Sequence, residues 1–223
     1  GRGAHAPLIL AGHQPELVHP GVWFKNFVLS SLAHRTASHA VNLLVDNDAV
    51  KSTAIRVPTG SVQDPVAISV PMDSASRPVP YEERSVLDPG LFASFGQRVA
   101  EAVRPLVRQP LIREFWPLAT RALAVHGNLG RALAQARHTL EGQWGLCTLE
   151  LPLSRVCDDW PFRLFSLCLL RDAERLQETH NRVLTEYRQV NRVRSHTHPV
   201  PDLQRHHEWW EVPFWLWTRS EPE

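Results

Sequence analysis

Leu8-Ile9-Leu10-Ala11-Gly12-His13-Gln14-Pro15 and, further on, Val41-Asn42-Leu43-Leu44-Val45-Asp46-Asn47-Asp48 are the two stretches that decide the fold. Each opens on a short apolar run and ends in polar or turn-forming residues, as a buried strand entering a loop does. Between them, Trp23, Phe24, Phe27, Val28, Leu29 and Leu32 recur at helical spacing, so Trp23 to Ala33 reads as a helix. The order strand, loop, helix, strand is that of a right-handed βαβ unit, whose ligands lie outside the carboxyl ends of parallel strands. Both polar loops fall on that edge.

Outward from this unit, Ala54-Ile55-Arg56-Val57 and Val66-Ala67-Ile68-Ser69-Val70 alternate as strands, separated by Thr59-Gly60 and Asp64-Pro65 turns, and read as a hairpin on the sheet edge. Ser74 to Pro89 is loop-like. Leu91 to about Leu140 reads as two or three helices interrupted at Pro105, Pro110, Pro117 and Gly127. Leu146 to Leu151 returns as a strand. A long helix from Pro161 to about Val193 follows, capped by Asp158 or Asp159, and Val212 to Trp217 reads as a last buried strand. The expected class is α/β: one Rossmann-like domain over 1–223, with a parallel sheet, a helical insertion at about 90–140 and a long C-terminal helix. The rival is α+β, with the early strands as an antiparallel edge.

Composition narrows the function. The chain has 223 residues, with 24 basic against 23 acidic side chains and a pI near 8.0, so no global field favours polyanions, and nucleic acid is not an expected partner. No apolar run reaches the ~18 residues of a membrane span, so no membrane partner is expected. Cys147, Cys157 and Cys168 have no CxxC spacing and are odd in number, which argues for reduced thiols and a cytoplasmic location. The start at Gly1 and the stop after an apolar segment lead us to expect a fragment of a longer chain, of open oligomeric state.

The first loop, Gly12-His13-Gln14-Pro15 followed by His19-Pro20-Gly21 and Lys25, carries the candidate chemistry. A Gly-containing turn before a helix presents backbone N–H groups, and His and Lys can neutralise phosphate oxygens or a carboxylate. His13, His19 and Lys25 are therefore the candidate catalytic residues, with Gly12, Gln14 and Gly21 shaping a binding loop; the plainer alternative is that the His side chains only brace the turn. The chain holds two Lys against 22 Arg, and both, Lys25 and Lys51, lie just past the two loops. A retained Lys fits a site that needs a compact amine, and accident on a solvated face explains it equally. Asp46 and Asp48 end the second strand, where an acid commonly meets a ribose hydroxyl or a substrate amine, where Asp-x-Asp could hold Mg²⁺, or where an Asx turn simply forms.

The GHQP stretch resembles the HQP opening of the WbqC-like family and, more distantly, the Gly-Gln-Gln opening of the cysteine-adding enzyme of bacillithiol synthesis. The likeness covers roughly residues 8–58, including Val41 to Asp48 and Lys51. It implies a Rossmann-type nucleotidyltransferase fold and transfer or ligation on an amine-bearing small-molecule substrate; the ligand expected at the loop is a nucleotide or a phosphorylated or amino sugar, and the cofactor stays open, with ATP, ADP and Mg²⁺ as candidates. His19-Pro20-Gly21-Val22 resembles the HxGH box of adenylyl-transferring enzymes with its second His replaced, so a non-catalytic binding protein with a degenerate pocket is the alternative.

Other clusters have ordinary readings beside functional ones. His196, His198, His206 and His207 invite a zinc site, but their spacing is poor and no metal site is assigned. Arg171, Arg175, Arg182 and their neighbours alternate in part with Glu174, Glu178 and Glu186, as a solvated ion-paired helix face does. Trp209, Trp210, Trp215 and Trp217 read as core in preference to a stacking platform. Cys147 and Cys168 read as small buried hydrophobes, and no G-x-S-x-G elbow is present.

Overall fold

Why a helix begins at Pro20 is a matter of its first turn. Proline lacks the N–H that would have no intrahelical partner there, and the preceding His19 caps the helix by accepting the Gly21 N–H on Nδ1 at 3.0 Å. The computed structural model, which describes residues 6–17, 19–75 and 77–215, thus opens with β1 (Leu8–His13), α1 (Pro20–Arg35) and β2 (His39–Leu44). Then come the hairpin β3 (Ala54–Gly60) and β4 (Pro65–Pro71), three helices α2 (Pro89–Val103), α3 (Ile112–His126) and α4 (Leu129–Gln143), β5 (Leu149–Pro152) and the short α5 (Leu153–Cys157).

β1, β2 and β5 form a parallel sheet in that order, with Leu8 beside His39 and Val41 beside Leu149. The parallel pairing of β1 with β2 removes the antiparallel rival. The class is mixed α/β. Ile9, Ala11 and Ala40 pack under Leu29 and Ala33 of α1. On the opposite face Leu8, Leu10, Leu149 and Leu151 are exposed, so β1 is not the doubly buried strand its apolar run suggests. The difference has a plain cause: α1 packs on the Ala11–Ala40 face, and Arg137 of α4 reaches Glu150 on that same face.

The principal core lies outside the sheet. Phe92, Phe95 and Val99 of α2, Phe115 and Trp116 of α3 and Leu129, Leu133 and Leu140 of α4 close around Val57 and Val70 of the hairpin. Each such side chain contributes roughly 1.5–3 kcal/mol by leaving water. The hairpin pairs only with itself and faces this core, so it does not extend the parallel sheet as expected. α3 runs through Pro117 without interruption and stops at Gly127, whose φ of 65° is left-handed. Asn128 then caps α4, accepting the Arg131 N–H at 2.9 Å and donating to the carbonyls of Tyr81 and Glu82. Within the loop before α2, buried Asp73 accepts from Arg84 and from the Leu87 and Asp88 N–H groups.

Where one domain is expected, the chain divides into two compact units, 1–156 and 157–223. In the second, the expected long helix is two: α6 (Trp160–Leu170), capped by Asp159, and α7 (Ala173–Val190), whose cap Asp172 takes the Arg175 N–H and ends the continuous run. Arg188 binds both oxygens of Asp202 and the carbonyls of His196, His198 and Val200, so this cation holds its own loop. Arg182 pairs with Glu186 at 3.1 Å, in keeping with a solvated ion-paired face. Two short strands follow, β6 (Arg205–His206) and β7 (Trp209–Trp210). Residues 212–215 form no strand, Leu216 and Trp217 lie outside the described residues, and Trp209 and Trp215 are exposed, against the core reading. Cys147 and Cys168 are exposed too, so burial does not explain them. Among the described residues, no helix is long and apolar enough to cross a membrane.

Candidate functional site

The parallel pairing brings the two loops singled out in the sequence to one edge. His13 stands beside Leu44 in register, and its carbonyl accepts the Val45 N–H at 2.9 Å, so His13 and Asp46 leave the sheet on the same side. Lys25, on the second turn of α1, donates from Nζ to the Gly12 carbonyl at 3.1 Å, which places its ammonium at the end of β1. His19, Lys25 and Lys51 are exposed and His13 is half-exposed, so the edge is open to solvent. Because His19 Nδ1 accepts the Gly21 N–H, its neutral ring carries the proton on Nε2. A Cβ on Gly21 would sit 3.2 Å from that Nδ1, and one on Gly12 would sit 3.2 Å from the Leu43 carbonyl; both glycines make room for backbone and cap.

The acids behave differently from the cations. Asp46 is buried, and its two oxygens accept the Ser154 N–H at 2.9 Å and the Ser154 hydroxyl at 2.6 Å. Asp48 accepts Gln14 Nε2 at 2.7 Å on one oxygen and the Ala49 N–H at 2.8 Å on the other. Every carboxylate oxygen of the Asp-x-Asp pair therefore has a donor from the chain itself. Gln14 and Asp48 tie the first loop to the second, and Asp46 ties the second to the start of α5. This donor set does not fit a Mg²⁺ ion carried by Asp46 and Asp48, whose dehydration would have to be offset by free carboxylate oxygens.

Three supporting residues, Tyr81, Glu16 and Ser154, escaped the sequence reading. Pro15 is fully buried, and a Cβ on Gly130 would lie 3.1 Å from both Pro15 Cγ and Tyr81 Cβ, so proline, tyrosine and the start of α4 meet at a point where only glycine fits without displacement. Tyr81 donates its hydroxyl to Glu16 at 3.0 Å; burial first, and the Glu16 carboxylate second, push that hydroxyl well above its ordinary value near 10. Ser154 follows β5 and is the third. Glu16 lies inside the loop and Ser154 at a strand end, which is the signal that was there to be used; Tyr81 has none at short range.

No protein-family model matches this chain, and no curated protein does. The resemblance to WbqC-like proteins thus rests on residues 8–58 of the sequence alone. Grooves of the first unit lie elsewhere, one of about 730 Å³ between α2 and α3 beside Trp116, Gln97 and Arg121, another of about 300 Å³ beside His34, Arg35 and Cys147.

Proposed function

We propose that the carboxyl edge of the β1–β2–β5 sheet binds a small phosphate-bearing molecule, a nucleotide such as ATP or ADP or a phosphosugar. The reading is carried by one observation: the Lys25 ammonium reaches the end of β1, next to His13. With a single backbone carbonyl as partner, the ammonium keeps two further N–H donors for phosphate oxygens. Gln14, Gly12 and Gly21 shape this edge; His19 offers its Nε2–H as a donor, while His13 donates Nδ1–H to the Gln14 carbonyl at 3.1 Å and presents Nε2 as an acceptor. The resemblance to Rossmann-type nucleotidyltransferases extends the proposal to a transferase or ligase acting on an amine-bearing acceptor, with the imidazole of His13 or His19 moving the proton.

The second reading, a binding protein without chemistry, is favoured by the acids: Asp46 and Asp48 hold the loops together, each of their oxygens engaged by a donor of the chain. Thermal unfolding with ATP, ADP and UDP-sugars tests the shared premise, because a ligand that binds only the folded chain raises the melting temperature once it exceeds its dissociation constant. A rise that vanishes in Lys25→Ala supports the site. No rise with any of them removes it.

A further inference from the structure

Glu141 is a carboxylate with no access to water: the residue is 0% exposed, it lies on α4, and its Oε1 accepts Trp23 Nε1 at 2.6 Å and Asn26 Nδ2 at 2.7 Å. Its Oε2 is buried with no hydrogen-bond partner. One turn earlier on the same helix face, His138 also presents a buried ring nitrogen, Nδ1, with no partner. From β5 comes Glu150, whose Oε1 accepts Asn42 Nδ2 and Arg137 Nη2. One ligand atom from each of His138, Glu141 and Glu150 lies within 4.8 Å of the other two. Buried polar atoms are nearly always satisfied, so two unpartnered ones on residues of a single cluster call for a third party.

We propose that His138, Glu141 and Glu150 form a binding site for a divalent transition-metal ion of the Zn²⁺ type, separate from the sheet edge and independent of its function. An imidazole nitrogen with two carboxylates suits Zn²⁺ better than Ca²⁺ or Mg²⁺, which take oxygen ligands alone. Trp23, Asn26 and Asn42 hold one oxygen of each carboxylate from behind, the arrangement that orients ligands around a metal. Arg137 is the opposing term. Its guanidinium is paired with Glu150 and stands 3.5 Å from Glu141 Oε1, so it halves the negative charge of the pair. It meets Oε1 in both cases, however, and the unpartnered oxygen of Glu141 is the other one. His138 is half-buried and the Glu150 side chain keeps 11% of its surface exposed, which is where an ion would enter.

The test is calorimetric titration of the metal-stripped full chain with Zn²⁺, with His138→Ala, Glu150→Gln and, as control, the double variant His196→Ala/His198→Ala. One saturable site is expected, weakened by about tenfold or more in each of the first two variants and unchanged in the control. Glu150 also anchors Arg137 and Asn42, so circular dichroism accompanies each variant. Should one fail to fold, broadening of the His138 ring signals by Mn²⁺ in wild-type protein decides the matter without mutation. Absence of saturable binding, binding that survives His138→Ala, binding lost in the control, or His138 signals untouched by Mn²⁺ each overturns the proposal.

Discussion

Two pairs of carboxylates flank the parallel sheet, and they are opposites. Asp46 and Asp48 stand where the sequence advertises a site, yet all four of their oxygens accept hydrogen bonds from the chain. Glu141 lies on α4 and Glu150 within β5, in stretches with no motif, and there a buried oxygen and a buried imidazole nitrogen lack partners. The difference teaches that the position of an acid in a motif says less about its availability than the count of donors around it. An acid with its donors supplied is part of the scaffold; one without them is open to a ligand.

The sharpest way to break this contrast is Asp46→Ala. It leaves the Ser154 N–H and hydroxyl without their partner in a half-buried place and should cost about 3 kcal/mol of stability, read as a lower urea midpoint. A variant as stable as wild type that has lost nucleotide binding would show Asp46 to be a ligand after all. Lys25→Ala should do the reverse, weakening nucleotide binding by about 1.5–3 kcal/mol in calorimetry while shifting the urea midpoint little. Equal affinities for the two proteins would make Lys25 an ordinary solvated residue.

A smaller effect is expected at the brace behind the loop. Tyr81→Phe removes a hydrogen bond to a carboxylate and should cost about 1.5 kcal/mol near neutral pH. The pH dependence has a definite sign: the folded state holds the phenol proton more tightly than the unfolded state does, so wild-type stability falls as pH rises above about 10, where only the unfolded phenol ionises. That decline should be shallower in Tyr81→Phe, and parallel declines would place the titrating group elsewhere. Smallest of all is Lys51→Ala, three residues past Asp48 and exposed, for which we expect less than about 0.5 kcal/mol in nucleotide affinity and a contribution that disappears with added salt. A loss matching that of Lys25→Ala would move the centre of the site to the second loop.

The βαβ unit was legible because its signals are local. Apolar runs at Leu8 and Val41, the stripe from Trp23 and the turn residues between them are read within a few positions, and β1, α1 and β2 form there with ends displaced by two or three residues. Hairpin and helices also followed from period and punctuation, except at Pro117, which α3 tolerates in its second turn, and at Asp172, whose capping of α7 divides the long helix. What was hidden depends on partners distant in sequence. Ser154 meets Asp46 from 108 positions away, and Trp23 meets Glu141 from 118. His138, Glu141 and Glu150 likewise have no meaning until α4 and β5 lie side by side. The exposure of Leu8 and Leu10 was illegible for the same reason, since an apolar run does not reveal how many faces will be covered.

Pro15 wedged between Tyr81 and Gly130 has a consequence for recognition. Pro15, clamped in this way, has surrendered its conformational freedom on folding, so a ligand of the proposed kind binding beside it has no disorder left to remove at that residue. That share of the entropic penalty of association should be small.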